Sequence, residues 1–237
     1  MDIIFITDII PDMPIGGKAR SLVKLKLAGQ RVPDGFVILP KRELDKTELL
    51  RAFDSLASER VAVRSSAVNE DGENTAWAGQ LETKLNVGRD ELIDAIKACR
   101  ESPKSARAQA YAVAHGQESG EVAVIVQRML NGDISGVAFS KHPVTGQDAI
   151  VIEAVKGQGE QLVSGIVTPD TYVIGRSDTI AEQHLSGDRP ILTSYQLEEV
   201  TQLTRSIAEQ FGYPVDIEWA YDGSVLYVLQ ARPITTL

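Results

Sequence analysis

The C-terminal stretch PVDIEWAYDGSVLYVLQARP, residues 214–233, carries the clearest structural signal in this sequence. Polar and apolar residues alternate at 215–219 before the DGS triplet at 222–224 and at 229–232 after it, and such a triplet between two strand-like runs is typical of a tight turn. The stretch therefore predicts a β-hairpin whose strands cover residues 214–221 and 225–233.

Four polar side chains of this hairpin fall on matching faces of its two strands. Strand alternation places the carboxylates of Asp216 and Glu218 on one face, and it does the same for the side chains of Gln230 and Arg232. Magnesium prefers oxygen ligands and keeps only one or two protein ligands beside nucleotide phosphates, so Glu218 and Gln230 form a candidate magnesium site. The alternative is a solvated sheet face with a cross-strand Glu–Arg pair.

Two further motifs place positive charge where an anion can bind. A GGK motif at 16–18 opens a predicted helix, and glycines at a helix N-terminus let backbone N–H groups and the Lys18 ammonium approach a phosphate. Arg64 follows an alternating VAV segment and can bind phosphate oxygens in bidentate geometry. The alternatives are a plain turn with a surface lysine, and a structural ion pair of Arg64 with Glu70 or Asp71.

Hydrophobic periodicity divides the chain into two α+β lobes that meet near residues 115–120. Helices are predicted to start at Gly16 and to cover 43–56, 89–100, 103–114 and 196–211. Strands outside the hairpin are predicted at 36–39, 61–66, 81–87, 121–129, 134–140, 148–155 and 171–174, and a loop is predicted near 175–194. The first helix should bury the side formed by Ala19, Leu22, Val23 and Leu27. A ligand site is expected in the cleft between the lobes.

Composition excludes several classes of protein. The 43% apolar and 24% charged residues are those of a folded globular chain, and the net charge of −9 gives no general footprint for nucleic acid. No apolar run approaches a membrane span and no signal peptide is evident, so we expect a soluble, cytoplasmic protein with no membrane partner. Cys99 is the single cysteine, and its helical spacing from Ile96 predicts a buried thiol.

Seven motifs follow one another along the chain: GGKARSL, PDGFVI, VAVRSSAVNEDGENTAWAGQLETKLNV, VIVQRML, SGVAFSKHPVTG, GQGEQLVSGIVTPDTYVI and DIEWAYDGSVLYVLQARPIT. In this order they resemble the N-terminal ATP-binding domain of phosphoenolpyruvate synthase, pyruvate phosphate dikinase and rifampicin phosphotransferase. The resemblance covers nearly the whole chain. It implies an α+β fold of the ATP-grasp type, with the nucleotide held between two lobes.

The resemblance implies phosphate-binding roles for five positions. Lys18 and Arg64 would contact the ATP phosphates, and Arg232 would reach them from the C-terminal hairpin, which makes these three the catalytic residues. Gly79 and Thr83, in the segment AGQLET, would line the phosphate loop. These roles agree with the candidate anion sites that the residue pattern indicates at Lys18 and Arg64.

The remaining implied roles concern the base and the metal. Gln127 of VQRM would lie near the adenine, and Glu218 and Gln230 would hold Mg²⁺. The N-terminal lobe, residues 1–117, would then carry the phosphate-binding loops. The C-terminal lobe, residues 118–237, would carry the adenine and magnesium sites.

In the multidomain relatives, the resemblance implies a swivelling domain whose histidine accepts phosphate, and a third domain that binds pyruvate, phosphoenolpyruvate or an antibiotic. This chain ends four residues after its ARP motif. None of its histidines (His115, His142 and His184) lies in a phosphohistidine motif, and none has the spacing of a zinc site or a hydrolase triad. We therefore expect both downstream domains to be absent.

The first functional hypothesis is a kinase that transfers phosphate from Mg-ATP directly to a small-molecule acceptor. Its candidate general bases are Glu153, Glu160, His142 and Asp170. The second is the ATP-binding component, or a fragment, of a split dikinase that phosphorylates a histidine on a separate partner protein and releases AMP. The third is a non-catalytic nucleotide-binding module. The sequence leaves the acceptor open.

Overall fold

The computed structural model describes residues 3–9, 13–40, 43–67, 81–105, 109, 121–159 and 165–234. The chain forms two compact units, one of Met1–Lys26 with Pro33–Met129 and one of Leu27–Val32 with Leu130–Leu237. An antiparallel sheet and at least one helix make up each unit. The predicted α+β class is therefore confirmed.

The sheet of the first unit has the strand order β1-β2-β5-β3-β4. Its strands are β1 (Ile3–Phe5), β2 (Gly35–Ile38), β3 (Val61–Ala67), β4 (Thr83–Val87) and β5 (Val122–Arg128). Its helices are α1 (Gly16–Leu27), α2 (Lys46–Ser55) and α3 (Leu92–Glu101), with short 3-10 turns at Ile6–Asp8, Arg89–Glu91 and Ser102–Lys104. The predicted helices at 43–56 and 89–100 are thus confirmed within a few residues.

One face of this first sheet is the core face. Helices α2 and α3 pack against it and exclude water from a continuous apolar cluster, which is the main stabilising contribution of the unit. The cluster includes Phe36, Val63, Leu49, Ile96 and Val126. Asp45 fixes the start of α2 by accepting hydrogen bonds from the first-turn N–H groups of Thr47 and Glu48.

The sheet of the second unit has the strand order β11-β10-β6-β7-β8-β9. Its strands are β6 (Ile134–Phe139), β7 (Ile150–Lys156), β8 (Asp170–Ile174), β9 (Ile180–His184), β10 (Val215–Asp222) and β11 (Val225–Pro233), and its helix is α4 (Ser194–Phe211). Thr193 and Gln196 form a capping box at the start of α4, and Gly212 ends it with a φ of 77°. Trp219 and Tyr221 are fully buried in this unit.

Three sequence predictions differ from this fold. Strand β5 pairs with β2 and β3, so the first unit extends to Met129, whereas the sequence placed the boundary at 117/118. Strand β9 lies inside the predicted loop at 175–194; all five of its residues are exposed at a sheet edge, which leaves no apolar alternation to detect. Leu27, predicted on the buried side of α1, is 75% exposed.

The predicted helix at 103–114 lies largely outside the described residues. None of the helices in the described part of the chain combines the length and hydropathy that a bilayer crossing would need.

Candidate functional site

Three predicted nucleotide-binding residues of the first unit, two for phosphate and one for adenine, share one sheet face. Arg64 on β3 lies directly opposite Thr83 on β4, and Ala62, two residues earlier, lies opposite Gln127 on β5. Residues paired in this way point to the same side of an antiparallel sheet. Val63 points the other way, into the core under α2 and α3. Arg64, Thr83 and Gln127 therefore lie on the face opposite the core.

Lys18 is brought to the same region by the start of α1. It lies in the first turn of this helix and is half-buried. The backbone N–H of Ala19 donates a hydrogen bond to Ser66 Oγ at 3.1 Å, and Ser66 lies two residues beyond Arg64 on the same face of β3. The structure thus brings the GGK and VRSSA motifs together within one unit.

Gln127 is more enclosed than the other predicted residues. Only 3% of it is exposed, and its side-chain amide donates a hydrogen bond to the Pro33 carbonyl at 3.1 Å. Gly35 pairs with it across the sheet, and a side chain at Gly35 would press on Gln127 Cγ. The carboxamide nitrogen of Gln127 is therefore held by a hydrogen bond to a backbone carbonyl. Gly79 lies outside the described residues, as do Glu70 and Asp71.

The predicted C-terminal hairpin is present, but its register shifts between Glu218 and Trp219, so that Trp219 pairs with Val228 and Glu218 pairs with Gln230. Glu218 lies opposite Gln230 and Asp216 lies opposite Arg232, and a two-residue turn at Gly223 and Ser224 joins the strands. All four side chains therefore point to one face of the second sheet.

The hairpin face contains an ion pair between Asp216 and Arg232. The alternative interpretation of the sequence expected a Glu–Arg pair across these strands, so the acidic partner differs. Arg232 Nε and Nη2 both donate to Asp216 Oδ2, at 2.7 and 2.6 Å. Asp216 is buried, whereas about half of the Arg232 side chain is exposed. Asp216, and not Glu218, is therefore the acceptor of the Arg232 hydrogen bonds.

Three carboxylates concentrate negative charge on this face. Glu153 on β7 lies opposite Val137 on β6, which in turn lies opposite Glu218. Burial raises the pKa of Glu153 above its ordinary value, and the charge of Asp216 raises it further. Burial also raises the pKa of Asp216, although Arg232 acts in the opposite direction, and the charge of Glu218 adds to the increase.

The oxygen donors on this face suit a magnesium ion, which needs few protein ligands, better than a metal that takes all of its ligands from the protein. Within the described residues, no group of three or more His, Cys, Asp or Glu side chains is arranged to hold a metal. Glu218 and Gln230 are opposed, partly exposed oxygen donors, which is the one-or-two-ligand arrangement that magnesium accepts. The nearby negative charge of Asp216 and Glu153 would favour a cation there.

The candidate general bases are placed very differently from one another. Glu153 shares the face of Glu218. Asp170 points to the opposite face and is fully buried, with its carboxylate accepting hydrogen bonds from backbone and hydroxyl groups. His142 Nδ1 lies 3.3 Å from the N–H groups of Val144 and Thr145 and so holds a turn. Glu160 lies outside the described residues.

The Cys99 thiol is buried, as its helical spacing predicts. Its sulfur lies 3.5 Å from the Val63 carbonyl oxygen, and burial raises the pKa of the thiol to about 11. It is therefore neutral at physiological pH and has no nucleophilic role.

Sequence reasoning missed Ser66, the residue that joins α1 to β3. The two serines of the VRSSA motif are evident in the sequence, but strand alternation does not predict that the Ser66 hydroxyl bonds to α1.

The sequence and the fold both have known counterparts. A profile described as pyruvate phosphate dikinase, AMP/ATP-binding domain, matches residues 42–190 and 178–237. The chain is 34% identical over 316 aligned positions to a probable phosphoenolpyruvate synthase of Archaeoglobus fulgidus, an alignment that covers all of this chain and 42% of that protein. It is also 34% identical over 277 positions to the uncharacterized phosphotransferase YvkC of Bacillus subtilis, covering 94% and 33% of the two chains.

The chain thus spans less than half the length of either relative. Among solved structures, D-alanyl-alanine synthetase A from Vibrio cholerae superposes with a TM-score of 0.51 at 11% identity, over 92% of this chain and 56% of that one. At this identity the likeness concerns the fold alone, which is that of the ATP-grasp ligases. The chain belongs to the family of pyruvate phosphate dikinase AMP/ATP-binding domains and has an ATP-grasp-like fold.

Proposed function

We propose that this chain is a Mg-ATP-dependent phosphotransferase that transfers a phosphoryl group from ATP directly to a small-molecule acceptor. The observation that carries the proposal is the hairpin face, where Glu218 opposes Gln230 and the Asp216–Arg232 pair lies beside them. A module that only bound nucleotide would have no need for this set of oxygen donors and charges.

The first unit supplies positive charge and backbone donors to the nucleotide. The Lys18 ammonium and the Arg64 guanidinium bind phosphate oxygens and offset the charge that builds up during transfer. Thr83 is exposed and lies opposite Arg64, where it would contribute to the phosphate loop. Gly79, the other residue proposed for this loop, lies outside the described residues. Gln127 shapes the adenine side of the site through its bond to the Pro33 carbonyl.

The second unit carries the residues that we propose as magnesium ligands. Glu218 and Gln230 are the residues that would coordinate Mg²⁺, which supplies charge neutralisation at the phosphates when bound. Asp216 orients Arg232, whose side chain is about half exposed and would contact a phosphate through the N–H groups that do not bind Asp216.

Among the described candidates, Glu153 is our choice of general base. It shares the sheet face of Glu218, and burial together with the charge of Asp216 raises its pKa, which makes it a better proton acceptor than an ordinary glutamate. An acceptor hydroxyl would lose its proton to Glu153 as its oxygen bonds to phosphorus, and ADP would leave. Asp170 and His142 are occupied by structural hydrogen bonds.

A second candidate function is favoured by the relative that is a probable phosphoenolpyruvate synthase, of which this chain covers 42%. In this alternative, the chain binds ATP, phosphorylates a histidine on a partner protein and releases AMP. In this case the acceptor is an imidazole of the partner and not a small molecule.

The test is to incubate the purified chain with Mg-ATP and a mixture of cell metabolites, and to identify the nucleotide product by chromatography. ADP with a new phosphorylated small molecule is the expected result, and AMP would instead favour the dikinase component.

Glu218→Ala should lower turnover by about two or more orders of magnitude with little effect on folding, because it removes a metal ligand. Glu209→Ala, an exposed carboxylate on α4, is the matched control and should retain full turnover. Unchanged turnover in Glu218→Ala would refute the metal assignment.

A further inference from the structure

The start of α1 is pressed unusually close to the end of β3. Gly16 has a φ of 77°, and a side chain there would overlap the carbonyl oxygens of Ser66 and Ala67. Only glycine accepts both the positive φ and this approach. The first turn of the helix therefore rests directly on the backbone and side chain of the VRSSA strand.

This contact also supplies the helix with a cap from a distant part of the chain. The first four N–H groups of a helix have no partner within it, and neither Ile15, which precedes α1, nor the glycine pair that opens it has a polar side chain to receive them. Ser66 Oγ, 47 residues away, accepts the Ala19 N–H at 3.1 Å, and Ser66 is fully buried. One hydroxyl thus replaces the local cap that α1 lacks.

We propose that Ser66 is a positioning residue that fixes the Lys18-bearing turn of α1 against the strand that carries Arg64. This inference rests on the proposed function, because it assigns to Ser66 an effect on ATP through Lys18. Ser66 itself does not touch the nucleotide. It holds the first turn in one place, so that the ammonium of Lys18 and the guanidinium of Arg64 keep a fixed separation.

The neighbouring serine is a matched control. Ser65 is also buried, but it points to the opposite face of β3, where its hydroxyl lies within hydrogen-bond distance of the Glu82 and Cys99 carbonyls and of Ser102 Oγ. Ser65→Ala and Ser66→Ala each remove one buried hydroxyl from adjacent positions. Ser66→Ala removes a hydrogen bond to α1, whereas Ser65→Ala removes a hydrogen bond to α3.

The experiment is a double-mutant cycle between position 66 and Lys18, with kcat/KM for ATP and the ATP dissociation constant as readouts. Ser66→Ala should lower kcat/KM by about tenfold in the native background, because a displaced Lys18 loses its phosphate contact, and by less than about twofold in Lys18→Ala. Ser65→Ala should have the same effect in both backgrounds. Hydrogen exchange at the Ala19 amide should accelerate in Ser66→Ala and not in Ser65→Ala.

The outcomes separate the two proposals. If the native chain binds and turns over ATP but Ser66→Ala has equal effects with and without Lys18, the positioning role is overturned and the proposed function stands. If the native chain neither binds nor consumes Mg-ATP, the proposed function is overturned, and the Ala19 exchange rates still report on the cap. Ser66→Cys keeps the volume and weakens the acceptor, and it takes the place of the alanine variant if that variant does not fold.

Discussion

At the scale of single residues, the buried carboxylates Asp216 and Asp170 differ in whether their partners compensate for the cost of burying the charge. Asp216 is buried beside one partner, Arg232, and its pKa rises because burial outweighs the attraction of that guanidinium. Asp170 is buried among several donors, and the net effect on its pKa has the opposite sign. A carboxylate with a raised pKa suits a cation site, whereas one with a lowered pKa serves as a structural anchor.

Lysine should not replace Arg64 in ATP binding if the planar guanidinium of Arg64 makes two hydrogen bonds to phosphate. Arg64→Lys keeps the charge but loses bidentate geometry, and we expect the ATP dissociation constant to rise about tenfold in calorimetry. Arg60→Lys is the control, since Arg60 binds the Asn86 carbonyl and Glu91 and should leave ATP affinity unchanged. Equal affinities in Arg64→Lys and the native chain would return Arg64 to a structural role.

Asp170 should contribute stability that depends on pH. Burial acts to raise its pKa, but hydrogen bonds from Ser186 and Ile191 N–H groups, the Ser186 hydroxyl and the Tyr172 hydroxyl lower it below the ordinary value of 3.8. The ionised form is therefore favoured by folding. Its stabilising contribution is fully present above pH 3.8 and is lost as the pH falls through the lower folded-state pKa.

The measurement is urea unfolding of Asp170→Asn and the native chain across acid and neutral pH. At pH 7 the variant should lose about 2 kcal/mol, because an amide cannot accept all of these hydrogen bonds. The difference should narrow as the pH falls below 3.8, where the carboxyl of the unfolded chain becomes protonated, and should be lost once the pH passes through the lower folded-state pKa. A difference that stayed constant down to pH 2 would contradict this account.

At the scale of secondary-structure elements, the second sheet depends on a strand position that has no room for a side chain. A Cβ at Gly136 on β6 would overlap the Glu153 carbonyl oxygen and press on the Trp219 ring. Gly136→Ala should therefore lower the free energy of unfolding by about 2 kcal/mol, through overpacking between β6 and β7. Gly187→Ala has open space around its Cβ and should change stability by less than about 0.5 kcal/mol. Equal denaturation midpoints for the two variants would show that the sheet adapts.

At the scale of the whole molecule, nucleotide binding should stabilise the folded chain. A ligand at about 100 times its dissociation constant adds about 2.7 kcal/mol, which should raise the thermal midpoint by several degrees. We expect this shift with Mg-ATP in differential scanning fluorimetry and a smaller shift when EDTA removes the metal. Glu218→Ala should lose the magnesium-dependent part. The absence of any shift with adenine nucleotides would contradict ATP binding by this chain.

The sequence by itself determined the elements that depend on local patterns. Alternation predicted the hairpin, its turn near Gly223 and the shared side of Asp216 and Glu218, because side chains two residues apart on a strand point the same way. The register shift between Glu218 and Trp219 that brings Gln230 opposite Glu218 was not predictable from alternation. Helical spacing likewise gave α2, α3 and α4, and it predicted the burial of Cys99. These features follow from backbone geometry within a few residues.

Only the tertiary structure decided which elements became neighbours. Strand β5 is buried along nearly its whole length and fits the middle of any sheet, so its place between β2 and β3 depends on non-local packing. The opposition of Arg64 and Thr83 depends in the same way on the pairing of β3 with β4. The bond between Ala19 and Ser66 joins residues 47 positions apart, and a local pattern carries no information about such a contact.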